Sequence, residues 1–526
     1  MLLKKILKIS ILIFWIPLLS SLFAQQRDST ATASDVNEES TLYDIKFSRL
    51  QRLISNDIKN NVPLQYAADV LSLIEDAKGF AGQGDYSIAD EFLESALELV
   101  QEKSEKDSDN QTDAKSKMEW TYQGLFGSEL WQQKFGIVLS EQDSVIYESQ
   151  GNPFVGFRVL MDYQNGVRTQ TQLQMEGKLS SEYNSGKLTL QNNHQLSSHI
   201  RTSVDNFIDI TKYKRDAELS YLDDNLNAGV FITLAKSLGF ELRNEMQFLR
   251  YSNESEYFHS FLQNYARGKV SFLLANLGRI EFQYGARIRA HDQAESRDYS
   301  ERIIGGNYWS IGGGKKSLYA NIQQNVRTYR YGFVDSLFSN NFNNIYGELA
   351  VHYSLDRHLA FRFKTEGERR IYQEFSHATP NYLDVVVEPS FDFNFGLPWT
   401  IRLGYQFRNR KHTFPNNVEN ESPEIEDYYS HGPLISVDVF STSGFIASLS
   451  NSFELRRYPN APYSDGSGLS LYSNRNINSL FFFMTWNFSP HWELNAMANF
   501  DYDKDKNIEG ADSRTNLLNF ELSYKF

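Results

Sequence analysis

Charged side chains recur at every second or fourth position along several extended segments of this chain. In one segment, Asp384, Glu388 and Asp392 are four positions apart, and mostly apolar residues lie between them. Successive side chains of a β-strand point to opposite faces, so these charges would share one face of a strand. A wall made of such faces could pass charged solutes, or its charges could pair across strands and only solvate the wall.

The candidate residues of this wall carry both signs and belong to four extended segments. They are Arg287, Arg289, Arg362, Lys364, Glu366, Asp384, Glu388, Asp392, Arg402 and Arg408. We predict that they line a pore that selects charged solutes, with cross-strand ion pairing as the alternative. None of them implies a cofactor.

One acidic stretch near the C-terminus is superficially similar to a calcium-binding loop. Oxygen-bearing side chains follow one another there: Asp501, Asp503, Asp505, Asn507, Glu509 and Asp512. However, Lys506 occupies the place of the invariant glycine, and Asp512 stands where such a loop has a bidentate glutamate. We therefore predict a solvated hairpin and no metal site.

A second acidic stretch lies between His412 and His431, without lysine or arginine. Divalent ions could bridge it to lipopolysaccharide or to a surface partner, but we favour a solvated loop. The chain has no G-x-S-x-G, H-E-x-x-H or phosphate-binding P-loop motif. The two histidines with Asp427 are its one histidine cluster in a loop. We predict that the protein is not an enzyme.

The segments that carry the charges alternate apolar and polar residues from position 119 to the C-terminus. In the segment that begins at Trp399, the pattern places Leu403 towards lipid and Arg402 towards a lumen. The segments exceed the usual strand length in soluble sheets, and short connectors alternate with long polar ones. Only helices and closed barrels satisfy their backbone hydrogen bonds in lipid. We predict an all-β, antiparallel transmembrane barrel of about 18–20 strands with a wet lumen.

Composition excludes several other classes. The chain has 526 residues, a formal net charge of −14 and no cysteine. The negative charge disfavours nucleic acid as a partner. Without cysteine there is no lipid-anchored N-terminal Cys, no haem attached through C-x-x-C-H and no disulfide.

The first 118 residues have a different character. Residues 1–24 carry lysines ahead of a short apolar run and predict a secretory signal peptide, with an uncleaved anchor helix as the alternative. Residues 25–41 are expected to be a flexible lead-in. Helical periodicity predicts a small all-α domain over residues 42–103, and the charged residues 104–118 indicate a linker.

The C-terminus adds a more specific signal. Phe520, Leu522, Tyr524 and Phe526 form an apolar face that ends at the last residue. This pattern resembles the C-terminal assembly signal of Gram-negative outer-membrane β-barrels, with Phe526 as the final aromatic. The resemblance implies a bacterial outer-membrane location, with outer-membrane lipid and the barrel-assembly machinery as partners.

The predicted helical domain also contains a recognisable stretch. Gly84, Asp85 and Tyr86, followed by Ala89 and Ala96, resemble the turn and second helix of a tetratricopeptide repeat. A small amphipathic helical hairpin or coiled-coil-like bundle is the alternative interpretation.

Such helices before a C-terminal barrel resemble bacterial exopolysaccharide-export porins. This resemblance implies a porin-like conduit whose periplasmic helical domain docks a periplasmic protein or gates the pore. The alternative is a non-conducting outer-membrane protein that anchors a periplasmic partner.

Overall fold

The computed structural model describes residue 93 and most of the chain from residue 116 to residue 526. Within that range it leaves out residues 140–141, 166–168, 216, 236, 254–257, 275–277, 294, 311–315, 332–339, 357, 375–379, 396–398, 414–425, 442–443, 461–471 and 508–511. The predicted signal peptide, lead-in, helical domain and linker up to residue 115 lie outside the described residues, apart from Leu93. Among the described residues, no helix is long and apolar enough to cross a membrane.

The described residues form twenty β-strands and two short 3-10 turns, Ala217–Leu219 and Glu295–Arg297. The strands are β1 (Lys117–Leu139), β2 (Gln142–Asn165), β3 (Thr169–Ser180), β4 (Tyr183–Ser197), β5 (Ile200–Tyr213), β6 (Tyr221–Ala235), β7 (Leu238–Tyr251), β8 (Phe261–Leu274), β9 (Gly278–His291), β10 (Tyr299–Trp309), β11 (Lys316–Tyr329), β12 (Phe342–Ser354), β13 (Leu359–Tyr372), β14 (Asn381–Asn394), β15 (Trp399–Thr413), β16 (Tyr428–Phe440), β17 (Phe445–Arg457), β18 (Arg475–Trp486), β19 (Trp492–Asp505) and β20 (Ser513–Lys525).

Each strand pairs antiparallel with the next, and β20 pairs with β1. At this seam Leu522 lies opposite Phe126, and the backbone N–H of Phe526 donates to the carbonyl oxygen of Tyr122 at 2.9 Å. The sheet is therefore a closed barrel, which confirms the predicted all-β class and antiparallel order and gives a strand number of 20. β1 begins at Lys117, two residues before the predicted start of the barrel.

The two faces of the sheet differ in polarity, as the alternating sequence predicts. On β9, Glu281 and Gln283 are 2% and 5% exposed, whereas Phe282 and Tyr284 between them are 57% and 54% exposed. The inner wall is thus polar and the outer surface apolar. Soluble proteins have the opposite arrangement, and they rarely expose apolar patches of this extent.

The two ends of the barrel differ in their connectors. At the end where β1 begins and β20 ends, connectors are short, as at residues 198–199 and 441–444. At the other end they lengthen from β5 onward, reaching residues 414–427 and 458–474. We call these the turn end and the loop end. This rhythm agrees with the predicted one from β5 onward, whereas the first two loop-end hairpins are tight.

Candidate functional site

All ten predicted pore-lining residues occupy inward positions on β9, β13, β14 and β15. Strand register brings some of them together: Asp384 lies opposite Arg410, and Asp392 lies opposite Arg402. Antiparallel register places directly opposed side chains on the same face of the sheet. Their role in passing solute stays a prediction, and the geometry shows how their charges are arranged.

The wall of β14 and β15 contains the tightest cluster. Asp384 receives both Arg408 and Arg410, each with an Nη2–Oδ2 distance of 2.6 Å. Closer to the turn end, Arg402 donates from Nε to Asp392 Oδ1 at 2.7 Å. Two guanidinium groups on one carboxylate leave a local excess of positive charge facing the lumen.

The neighbouring wall of β12 and β13 is organised around Lys364. Its Nζ lies 2.7 Å from Glu366 Oε1 and 3.7 Å from Glu348 Oε1. Glu388 on β14 stands opposite Lys364 in the register, and Arg362 stands opposite Ser390. Along β13 the inward row therefore runs from two cations, Arg362 and Lys364, to two carboxylates, Glu366 and Glu368.

On β9, the two predicted residues have different surroundings. Arg287 donates to Glu301 of β10 at 3.2 Å. Arg289 donates from Nε to Gln263 Oε1 at 3.0 Å, and its guanidinium lies 4.1 Å from the ring centroid of Phe261. Arg289 is thus held partly by a ring face, a contact that stabilises a cation within a wall.

Sequence reasoning missed a second charge cluster, which spans the seam. Arg158 of β2 lies 2.7 Å from Glu176 of β3 and 2.9 Å from Glu521 of β20, while Lys178 lies 3.3 Å and 3.2 Å from the same two carboxylates. Their side chains are between 7% and 13% exposed. The alternation placed Glu521 on the polar face, but no local pattern pairs it with Arg158, 363 positions away.

A belt of inward aromatic side chains follows the loop end from β4 to β17, and we call it the rim belt. Each of its pairs joins the start of one strand to the end of the next. The pairs are Tyr183–Tyr213, Tyr221–Tyr251, Phe261–His291, Tyr299–Tyr329, Phe342–Tyr372, Tyr382–His412 and Tyr428–Tyr458, with ring centroids 5.4–6.3 Å apart.

From Phe261 to Tyr428, an arginine lies between successive pairs of the rim belt. Arg327 lies 4.1 Å from the ring of Tyr299 and 5.1 Å from that of Phe342. Arg370 repeats this arrangement between Phe342 and Tyr382, at 4.7 Å and 5.4 Å. This sector of the barrel mouth is therefore lined by alternating cationic and aromatic groups, each stabilising the other.

A side-chain hydrogen bond closes most hairpins at this end. The backbone N–H of Tyr372 donates to Asn381 Oδ1 at 2.6 Å, and that of Tyr329 donates to Asn341 Oδ1 at 2.7 Å. Equivalent bonds run from Tyr213, Tyr251, His291, His412 and Tyr458 to Ser220, Ser260, Asp298, Asp427 and Asn474. The signal was present in the sequence, because Ser, Asp or Asn directly precedes an aromatic residue at the start of six strands.

The histidine cluster considered for catalysis is divided between the two faces. His412 points inward, with Nδ1 3.1 Å from Asp427 Oδ1 and Nε2 3.7 Å from Glu426 Oε2. His431 lies on the outer face, where its Nδ1 is 2.6 Å from the hydroxyl of Tyr405. Tyr472 donates to Glu426 at 2.7 Å, and burial together with this bond raises the pKa of Tyr472. The two histidines therefore do not share a site.

The first residues of the acidic stretch around Asp501 lie on β19. Asp503 accepts from Arg475 at 2.8 Å, and Asp512 Oδ1 accepts from the backbone N–H of Asp505 at 3.0 Å. Glu509 lies outside the described residues. Within the part of the chain that the structure describes, no three His, Cys, Asp or Glu side chains are placed to hold a metal ion.

The predicted assembly-signal residues form the outward face at the end of the last strand. Phe520 and Phe526 are 48% and 78% exposed. Tyr524 packs edge-on against Trp492 and Phe526, with ring centroids 4.8 Å and 5.0 Å apart. The aromatic face thus lies at the turn end, beside the seam.

Comparison with known proteins gives matches among solved structures only. No protein-family model and no curated protein matches this chain. The barrel is similar to the siderophore receptor PirA from Pseudomonas aeruginosa, at 9% identity and a TM-score of 0.45 over 76% of this chain and 80% of that one. It is also similar to the FrpB iron transporter from Neisseria meningitidis, at 10% identity and a TM-score of 0.48 over 76% and 81%.

A third similar structure is OccK5 (OpdH) from Pseudomonas aeruginosa. The identity is 12% and the TM-score 0.38, over 78% of this chain and 98% of that one. Identities this low do not indicate a shared activity.

Proposed function

We propose that this protein is an outer-membrane β-barrel that acts as a porin-like transport conduit, with residues 42–103 as a periplasmic domain that docks a partner or gates the lumen. The observation that carries the proposal is the polarity of the closed sheet. Its outer surface exposes apolar side chains, and its inner wall holds charges of both signs.

The outer surface supports the membrane placement. Leu403 and its register neighbours Phe391 and Ile435 are 45%, 43% and 46% exposed, and they form one apolar patch across three strands. Water would make such a surface costly, whereas hydrocarbon removes the cost. The C-terminal aromatic face supports the outer membrane and its assembly machinery as the setting.

The strand number supports a conduit. Barrels of about 16–18 strands already leave an aqueous channel unless a plug fills them. In this 20-stranded barrel, ion pairs such as Arg402–Asp392 hold the charged groups against the wall. A solute crossing the lumen would therefore meet a hydrated wall that can contact both anionic and cationic groups.

The test is single-channel recording of the refolded full chain in a planar lipid bilayer. We expect discrete conductance steps, and larger ones after deletion of residues 27–115, because this segment is the part large enough to cover the periplasmic mouth. High conductance in both forms favours a general porin with a docking domain. Conductance only after deletion favours a gated conduit.

A second candidate is a non-conducting protein that anchors a periplasmic partner. It is favoured by the depth at which inner-wall carboxylates are buried: Glu281, Glu301 and Glu348 are 2%, 3% and 4% exposed. Carboxylates buried this deeply stabilise the barrel wall and are not accessible to a solute in the lumen. Absence of conductance steps in both forms of the protein would replace the first proposal with this one.

A further inference from the structure

The outward face of the barrel carries charge of nearly one sign, and that charge is concentrated at the loop end. Several outward cations lie there, and we call six exposed ones the cationic ring: Lys212, Arg250, Arg302, Arg369, Lys411 and Lys504. Lys134, Arg457 and Arg514 are further outward cations at this end. Among the outward strand side chains that the structure describes, Asp224 is the one carboxylate. The ring is therefore a band of positive charge around the outside of the barrel.

The ring lies where the apolar surface ends. Four of the ring cations directly precede the inward side chain that lies nearest the loop end of their strand. They are Lys212, Arg250, Lys411 and Lys504. Arg302 and Arg369 lie slightly deeper, and Arg369 has apolar Ile345 opposite it on β12. Long cationic side chains at such a border can lay their stems on apolar surface and extend their charged ends outward.

The ring cations are exposed and have no described carboxylate as a partner. Adjacent residues on the same strands show the contrast. Inward Arg370 lies 3.0 Å from Glu368, whereas outward Arg369 has no ion pair with a described residue. Inward Arg410 lies 2.6 Å from Asp384, whereas outward Lys411 has none. The inner wall neutralises its cations, and the outer face leaves them for an external anion.

Two ring cations are placed to act together. Arg369 of β13 and Lys411 of β15 both lie directly opposite Leu383 of β14, one on each side. Adjacent strands are about 4.8 Å apart, so their backbones are roughly 10 Å apart, and both long side chains can converge on one group. Leu383 between them is 45% exposed and offers apolar contact directly below that group.

We propose that the cationic ring binds the phosphate groups of a phosphorylated glycolipid in the leaflet that surrounds the loop end, with Arg369 and Lys411 as its principal clamp. The charge is complementary, because lipid phosphates are anionic and accept charge-assisted hydrogen bonds from guanidinium and ammonium groups. Acyl chains beneath the phosphate would meet the apolar band that begins at Leu383. Basic clusters beside a membrane are a recognised means of binding anionic lipid.

The experiment measures lipid binding by the folded full chain in neutral detergent, by native mass spectrometry. The probes are bisphosphorylated lipid A, the same lipid without its phosphates, and inorganic phosphate. We expect the phosphorylated lipid to bind at least tenfold more tightly than the dephosphorylated one, with an affinity that falls as salt rises. Equal binding of the two lipids, or displacement of the lipid by millimolar inorganic phosphate, overturns the proposal.

A variant pair localises the site. Arg369→Gln with Lys411→Gln should weaken binding of the phosphorylated lipid at least fivefold. Lys316→Gln is the matched control, because Lys316 is an exposed outward cation at the turn end. An equal loss in the control, or no loss in the double variant, contradicts the proposed clamp, and the comparison of lipids on the unaltered protein needs no variant to fold. The inference rests on the membrane placement proposed above and not on conductance, so either can fail alone.

Discussion

Individual residues in this barrel have different environments depending on which face they occupy. Leu403 and Gln406 lie on the same strand, three positions apart, so one points to the outer surface and the other to the lumen. Arg402 is also inward, but it donates to Asp392, so its removal would leave the Asp392 carboxylate without this partner. Gln406 is the better inward position for testing the face assignment.

We expect Leu403→Arg to destabilise the barrel by about 2–4 kcal/mol, since a guanidinium would enter hydrocarbon near the middle of the membrane. Gln406→Arg should change stability by less than about 1 kcal/mol, because the lumen-facing side chain can be hydrated. Folding titrations into lipid vesicles measure both. Equal losses would show that the face assignment of β15 is wrong.

Asp384 should control the ion selectivity of the conduit. Asp384→Asn leaves Arg408 and Arg410 without the carboxylate that both contact, so the local charge becomes more positive. We expect the reversal potential in a salt gradient to shift towards anion selectivity. Asp384→Glu keeps the charge and should leave the reversal potential close to that of the unaltered protein. An unchanged potential in Asp384→Asn would place the conducting path elsewhere.

At the scale of elements, the loop-end hairpins repeat one unit. An odd-numbered strand ends on an aromatic residue. The backbone N–H of that residue donates to the side chain of a polar residue at the start of the next strand. The backbone carbonyl of that polar residue accepts a hydrogen bond from the end of the next odd-numbered strand. An example is the 2.7 Å bond from the Gln373 N–H, just after β13, to the Asn341 carbonyl, just before β12. The start of each such even-numbered strand is thereby hydrogen-bonded to the ends of both neighbouring strands.

Removal of one such bond should have a local effect. Asn381→Ala leaves the Tyr372 N–H without its acceptor and should cost about 1 kcal/mol. Asn381→Ser should retain most of the stability, because Ser220 and Ser260 perform this role in two other hairpins. Hydrogen exchange at the Tyr372 amide reports the difference. Equal exchange in all three proteins would mean that the bond does not hold the hairpin.

For the whole molecule, closure depends on contacts between residues far apart in the sequence. The cluster of Arg158, Lys178, Glu176 and Glu521 joins β20 to β2 and β3 across the seam. Its two cations and two carboxylates balance, so removing one member leaves an uncompensated charge in a poorly solvated place.

Glu521→Gln should therefore lower the temperature at which the folded band is lost in heat-modifiable gel migration, with a cost of about 3–5 kcal/mol. Glu493→Gln is the matched control. It breaks the 2.6 Å pair with Lys525, which lies between β19 and β20 and does not cross the seam. A greater loss in the control than in Glu521→Gln would contradict a special role for the seam.

The barrel should fold without the N-terminal region. β1 begins at Lys117 and all twenty strands lie beyond it, so deletion of residues 27–115 removes no described barrel contact. We expect the shortened chain to insert into vesicles and to retain heat-modifiable migration. Failure to insert would show that the N-terminal region takes part in barrel formation.

The sequence by itself determined the strands, their two faces and their approximate number. Period-two alternation is a local property, so a segment such as Trp492–Asp505 can be recognised as a strand from its own residues, without knowledge of the strands it pairs with. Closure of the sheet follows almost directly, because an open sheet would leave unpaired backbone groups in lipid. The inward placement of Arg402 and Asp384 was predictable on the same ground.

Only the tertiary structure decided which charges meet. Arg158 and Glu521 are brought together by closure, and Arg369 and Lys411 by register on either side of Leu383. The repeated rim unit was obscured because its loops differ in length, so its aromatic residues have no fixed spacing in the sequence. His412 and His431 appeared as neighbours but lie on opposite faces. Pairing in a sheet depends on register, and register is set by the hairpins and the seam together rather than by any single strand.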